Sequence, residues 1–197
     1  MSGKETLSQF TMNLRWILRQ RNLASDKWAE TLVGMTRRFV TEARATGLLL
    51  GAEPKEGERL AIAEMSGHEV EELVSVPLYG HGDTIRRENL RYLLEALPKG
   101  EAKEAAKQIG ITASQLSRWR GGNVDKPHPT NVRKLLKFHG IDPDIALDTE
   151  PLFLSMEPIS GYGKKQWLVK RVMEMPADEI AKIYPALKRM LRHDETD

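Results

Sequence analysis

The chain has 197 residues, 29% of them charged and 40% hydrophobic, with a net charge of +2, which is a soluble globular composition and not a disordered one. It contains no cysteine, which excludes disulfides, thiolate metal sites and a cysteine nucleophile together and agrees with a reducing, cytoplasmic setting. Met1 to Thr6 opens no apolar run, so no signal peptide is expected, and no stretch approaches the roughly 18 apolar residues that a membrane span needs.

In chain order, Phe10, Leu14, Ile17 and Leu18 repeat at i, i+4, i+7, i+8 and predict a first helix. Trp28, Ala29 and Leu32 fit a second, with Val33-Gly34-Met35 as a turn. Thr36 would then cap a third helix through Arg44. Phe39, Val40 and Ala43 would face inward, and Arg37, Thr41 and Arg44 would share an outer face. A long loop is expected over 48–57, then a helix from Leu60 that ends on Gly67. Tyr79-Gly80-His81-Gly82-Asp83 reads as a linker.

Beyond it the pattern returns. Asn13-Leu14-Arg15-Trp16-Ile17-Leu18 reappears as Asn89-Leu90-Arg91-Tyr92-Leu93-Leu94, and the helix ending on Gly67 has its counterpart in the one ending on Gly140. Start and finish match in order, which predicts two copies of one small helical domain, over 1–79 and 84–150. Pro151, Pro158, Gly161 and Gly163 mark a second break. The segment 163–193 then reads as two amphipathic helices divided by Pro176, with Asp178 capping the second and Pro185 kinking it. No segment joins β-branched alternation to a hairpin signal, so the expected class is all-α.

Charge is unevenly spread. Residues 1–83 carry 10 basic and 12 acidic side chains, 84–140 carry 12 and 5, and 141–197 carry 8 and 11. The middle third alone is strongly basic, and a polyanion would be drawn there and not to the whole molecule.

Residues 101–122 hold the most specific pattern. Ala105 and Ala106 are small enough for two helices to cross closely, and Gly110 tolerates the positive φ of a tight turn. Thr112 and Gln115 make a Thr-x-x-Gln capping box at the start of the next helix, which Ile111, Leu116 and Trp119 would anchor. Ala113, Ser114, Gln115, Ser117 and Arg118 are left facing outward. This stretch, followed by Lys126-Pro-His-Pro-Thr130 and a helix from Val132 to His139, resembles the Cro/cI-type (XRE) helix-turn-helix family over about 84–150. Arg120-Gly121-Gly122 departs from the acidic-Asn-Gly turn usual in that family.

The resemblance implies two lambda-repressor-like helical domains in tandem, the first degenerate, plus a C-terminal helical hairpin. Each domain would have five short helices, with Asp142-Pro143 opening a fifth helix through Leu147 in the second. It implies binding to double-stranded DNA, with Ala113, Ser114, Ser117 and Arg118 at base-reading positions. Thr112 and Gln115 would touch bases or phosphates, and Arg120, Asn123 and Lys126 would lie along the backbone. Arg37, Thr41 and Arg44 are the candidate second DNA-contact face, with a copy kept for packing or protein contacts as the alternative. The C-terminal helices would form a homodimer, hold a protein partner or pack onto their own chain.

The expected function is a DNA-binding transcriptional regulator, a repressor of bacterial or phage origin. The alternative is an antitoxin or phage-defence component working through protein contacts. His68, His81, His128, His139 and His193 form no metal-ligand spacing. No catalytic constellation, metal or cofactor is expected.

Overall fold

The computed structural model describes residues 7–22, 24–97, 102–120, 127–159 and 161–192. Among them there is no strand, so the all-α class holds. The helices are α1 (Gln9–Arg21), α2 (Trp28–Met35), α3 (Glu42–Leu49), α4 (Glu56–Ser66), α5 (Val70–Ser75), α6 (Asp83–Glu95), α7 (Ala102–Ile109), α8 (Ala113–Arg120), α9 (Pro129–Phe138), α10 (Gly161–Glu174) and α11 (Ala177–Arg192). Single 3-10 turns lie at Ser25–Lys27 and Leu152–Leu154. None of these helices is long and apolar enough to cross a membrane.

Buried apolar side chains gather in two large clusters. One joins α1 to α5 around Leu14, Leu18, Trp28, Leu32, Leu48 and Ile62. The other joins α6 to α9 around Leu93, Leu97, Ala105, Ile109, Leu116 and Leu135. Each is tied by a fully buried asparagine on its first helix. Asn13 Nδ2 donates to the carbonyls of Leu73 (3.0 Å) and Val76 (2.7 Å), and its Oδ1 accepts from Leu78 N–H. Asn89 Nδ2 donates to the carbonyls of Leu147 (2.8 Å) and Glu150 (2.7 Å), and its Oδ1 accepts from Phe153 N–H. Both clamp the end of their cluster back onto its start, which satisfies backbone groups that burial would otherwise strand. α4 and α9 both close on a left-handed glycine, Gly67 (φ +75°) and Gly140 (φ +69°), as the sequence pattern predicts.

A smaller cluster joins α1 to α6. Phe153 and Leu154 are buried with Ile85 and meet Met12, Trp16, Tyr79 and Tyr92. Trp16 meets Phe153 edge-on at 5.5 Å. Arg19, almost fully buried, lies over the rings of Tyr92 and Phe153 and reaches Glu95 at 3.4 Å. Arg15 donates through Nε to the Leu49 carbonyl (2.9 Å) and through Nη1 to the Leu154 carbonyl (3.0 Å), and burial lowers its pKa to about 10. The 79–83 segment is thus no free tether, because Tyr79 packs into this cluster.

Four expectations are corrected. The third helix starts at Glu42 with Thr41 as its cap, because Thr36 turns its hydroxyl back to the Leu32 carbonyl (2.9 Å) and ends α2. The loop before α4 is accordingly short, 50–55. Residues 142–147 form turns without a helix: Asp142 Oδ1 takes the Asp144 N–H (2.9 Å) and the Asp142 carbonyl the Ile145 N–H (3.2 Å), but no run of i to i+4 backbone bonds follows. α11 is started by the Pro176 carbonyl, which accepts from Ile180 N–H (3.0 Å), and Asp178 sits in its first turn.

Candidate nucleic-acid interface

α7 and α8 meet as the sequence predicts. Ala105 and Ala106 are buried, Gly110 has φ +74°, and Leu116 is buried with Ile111 and Trp119 packed beside it. Gly110 N–H bonds the Lys107 carbonyl and Ile111 N–H the Ala106 carbonyl, which closes α7 through the left-handed residue. The cap of α8 is reciprocal. Thr112 Oγ1 accepts from Gln115 N–H (3.1 Å), and Gln115 Oε1 accepts from Thr112 N–H (2.8 Å). Two of the orphan donors of the helix start are satisfied by these two side chains.

Thr112, Ala113, Ser114, Gln115, Ser117 and Arg118 are all exposed. α8 therefore presents short polar side chains over its first turn and a guanidinium one turn on. Arg120 ends α8, and its side chain lies outside the described residues, as do Asn123 and Lys126. Lys134 on α9 was not singled out by the sequence pattern. Its Nζ stands 2.8 Å from where a Cβ on Gly110 would be, at the rim of the α7–α8 turn. No described carboxylate pairs with Lys103, Lys107, Arg118, Lys134 or Lys137, whereas Arg133 is engaged by Asp144 at 2.8 Å. α9 opens with Pro129 at its first position, and His128 Nδ1 accepts the Thr130 N–H (3.3 Å).

Arg37, Thr41 and Arg44 do not form one face. Arg37 lies in the turn between α2 and α3 with φ +49°, Thr41 is the cap of α3, and Arg44 is spent on an ion pair. Its Nε and Nη2 each reach a carboxylate oxygen of Glu58 at 2.7 Å, and Nη2 also bonds the Glu53 carbonyl. That pairing raises the Arg44 pKa and lowers that of Glu58, which also accepts Lys55 N–H at the cap of α4. Phe39 and Ala43, expected inward, are exposed, while Val40 is buried.

The C-terminal helices leave much apolar surface uncovered. Met173 is 82% exposed, Tyr184 56%, Leu168 55% and Val169 48%. Trp167 is also exposed, with Arg171 over its ring. α10 reaches the first half through Lys170, which meets Asp26 at 2.6 Å; that bond raises the lysine pKa. A cleft of about 620 Å³ lies between them. Among the described residues no three His, Asp or Glu side chains gather to hold a metal ion. The chain has no match among protein-family models, curated proteins or solved structures.

Proposed function

We propose that this chain is a sequence-specific double-stranded DNA-binding regulator of the Cro/cI type, in which α8 enters the major groove. The supporting observation is the α7–α8 unit: crossing alanines, a left-handed turn glycine and a reciprocal cap hold one exposed face of small polar side chains around Arg118. Short side chains at a helix start allow close approach to base edges. Arg118 matches the O6 and N7 acceptors of guanine, and the free lysines nearby suit phosphates. The helix start itself favours an anion.

On this reading the α1–α5 half is a second copy of the same domain whose third helix does not read bases. The counterpart of α8 is α3, whose first turn carries Glu42 and whose Arg44 is consumed by Glu58. Binding without catalysis, a cytoplasmic location, repression by occluding promoter DNA and a homodimer joined through α10 and α11 belong to the same reading. The exposed apolar face of those helices also favours a second reading, an antitoxin or phage-defence component that holds a protein there.

Selection from random duplexes tests the proposal. An enriched motif is expected, and Arg118→Ala should cost about 1–3 kcal/mol at one position of it and relax the preference there. An Arg118→Ala protein with undiminished operator affinity would remove α8 from the groove.

A further inference from the structure

The first half makes the turn before its third helix in an unusual way. In the second half Gly110 turns the chain with one positive φ. In the first half two consecutive non-glycine residues do so, Arg37 (φ +49°) and Arg38 (φ +66°). Side chains in that region crowd the following carbonyl, so the arrangement is disfavoured at each residue, and glycine would relieve it. Arg38 N–H bonds the Val33 carbonyl (2.9 Å) and Phe39 N–H the Thr36 carbonyl (2.9 Å), which holds the turn in place. Both arginines are exposed, and no described residue pairs with either guanidinium. Phe39 follows at 61% exposure and lies against Gly57, where a Cβ would come within 3.3 Å of its ring. The turn thus carries two exposed, unpaired cations and a largely exposed aromatic ring at consecutive positions, on a backbone conformation that disfavours side chains at two of them.

We propose that the Arg37-Arg38-Phe39 turn is a second DNA-contact element, distinct from α8. The two guanidinia would bind backbone phosphates and Phe39 would lie on the adjoining sugars. This rests on the reading of the chain as a duplex-binding protein. It differs from the sequence expectation, because the contact comes from the turn and not from a face of α3. A polyanion is the occupant that charge complementarity selects. A purely apolar partner would leave both guanidinia desolvated and unpaired.

The test uses the full chain and a duplex of arbitrary sequence, titrated across salt, so that base reading by α8 does not enter. R37Q/R38Q should lower the slope of log affinity against log salt by about 2, close to 0.9 for each lost phosphate contact, while R37K/R38K keeps most of it. F39S should weaken binding several-fold at every salt concentration without changing the slope, because it removes a non-ionic contact. R37G/R38G should raise the melting temperature by a few degrees while losing the same slope. An unchanged slope in R37Q/R38Q overturns the phosphate contact, and an unchanged affinity in F39S overturns the aromatic one. Arg118→Ala, measured in parallel on the selected motif, reports separately on α8.

Discussion

His139 is 1% exposed at the C-terminus of α9, with both ring nitrogens lacking a hydrogen-bond partner and Phe138 edge-on at 5.5 Å. Burial lowers its pKa to about 4, against a weaker opposing pull from the Leu93 backbone. The imidazole is therefore neutral in the fold at pH 7. The unfolded chain takes up a proton near pH 6.5, so this residue's contribution is complete above that value and is lost as pH falls toward 4. The loss is about 3 kcal/mol. Urea denaturation across pH 4–7 should show the decline, and His139→Phe should flatten it; an equal decline in the variant would place the titration elsewhere. Nothing in the sequence marks this histidine off from the other four, because burial comes from the helices that surround it. Asn13 and Asn89 differ in this respect. They open the repeated hexapeptide, and a polar residue recurring at the head of an apolar pattern is a signal that it is buried and bonded.

At the scale of elements, α8 was legible because its determinants are local: a glycine, a cap and its partner three residues on. Thr112→Ala should destabilise the protein by about 1 kcal/mol and Gly110→Ala by a similar amount. Thermal unfolding of each variant checks this, and no change in the first would mean that the cap contributes nothing. α3 was misplaced by the same kind of reasoning. Thr36 and Thr41 are both cap-type residues, and neither is followed three residues later by Glu or Gln. The choice between them depends on the turn, where left-handed arginines take a conformation that a reader of sequence reserves for glycine or asparagine. The fifth helix of the second half is absent although Asp142 makes the side-chain bond of a helix cap, because the turn closes through the Asp142 carbonyl and Ile145 N–H and is not continued.

For the whole molecule, the all-helical class was legible in periodicity, and so was a non-helical stretch around Pro151 and Pro158, whereas Gly161 and Gly163, read as part of the same break, lie inside α10. The α1–α6 junction was not legible, because it is built from Arg15, Arg19 and Trp16, residues that a sequence pattern assigns to a surface or a local core. The exposed face of α10 and α11 carries the prediction at this scale. Leu168→Glu with Met173→Glu should convert a concentration-dependent dimer into a monomer in sedimentation, with a weakened hold on a palindromic site. A wild-type chain that sediments as a monomer at all concentrations would reject the dimer.

The bonds of Arg15 also bear on how the chain comes to be folded during synthesis. One of its carbonyl partners, Leu49, lies in the first half, but the other, Leu154, lies beyond the whole of the second. Phe153, against which Trp16 and Arg19 pack, is equally late. An emerging chain that has completed α1 to α5 still holds a guanidinium short of one acceptor and an indole face open to water. Those contacts can form only once the strap after α9 has left the ribosome, so the junction between α1 and the later helices is the last part of the first half to close.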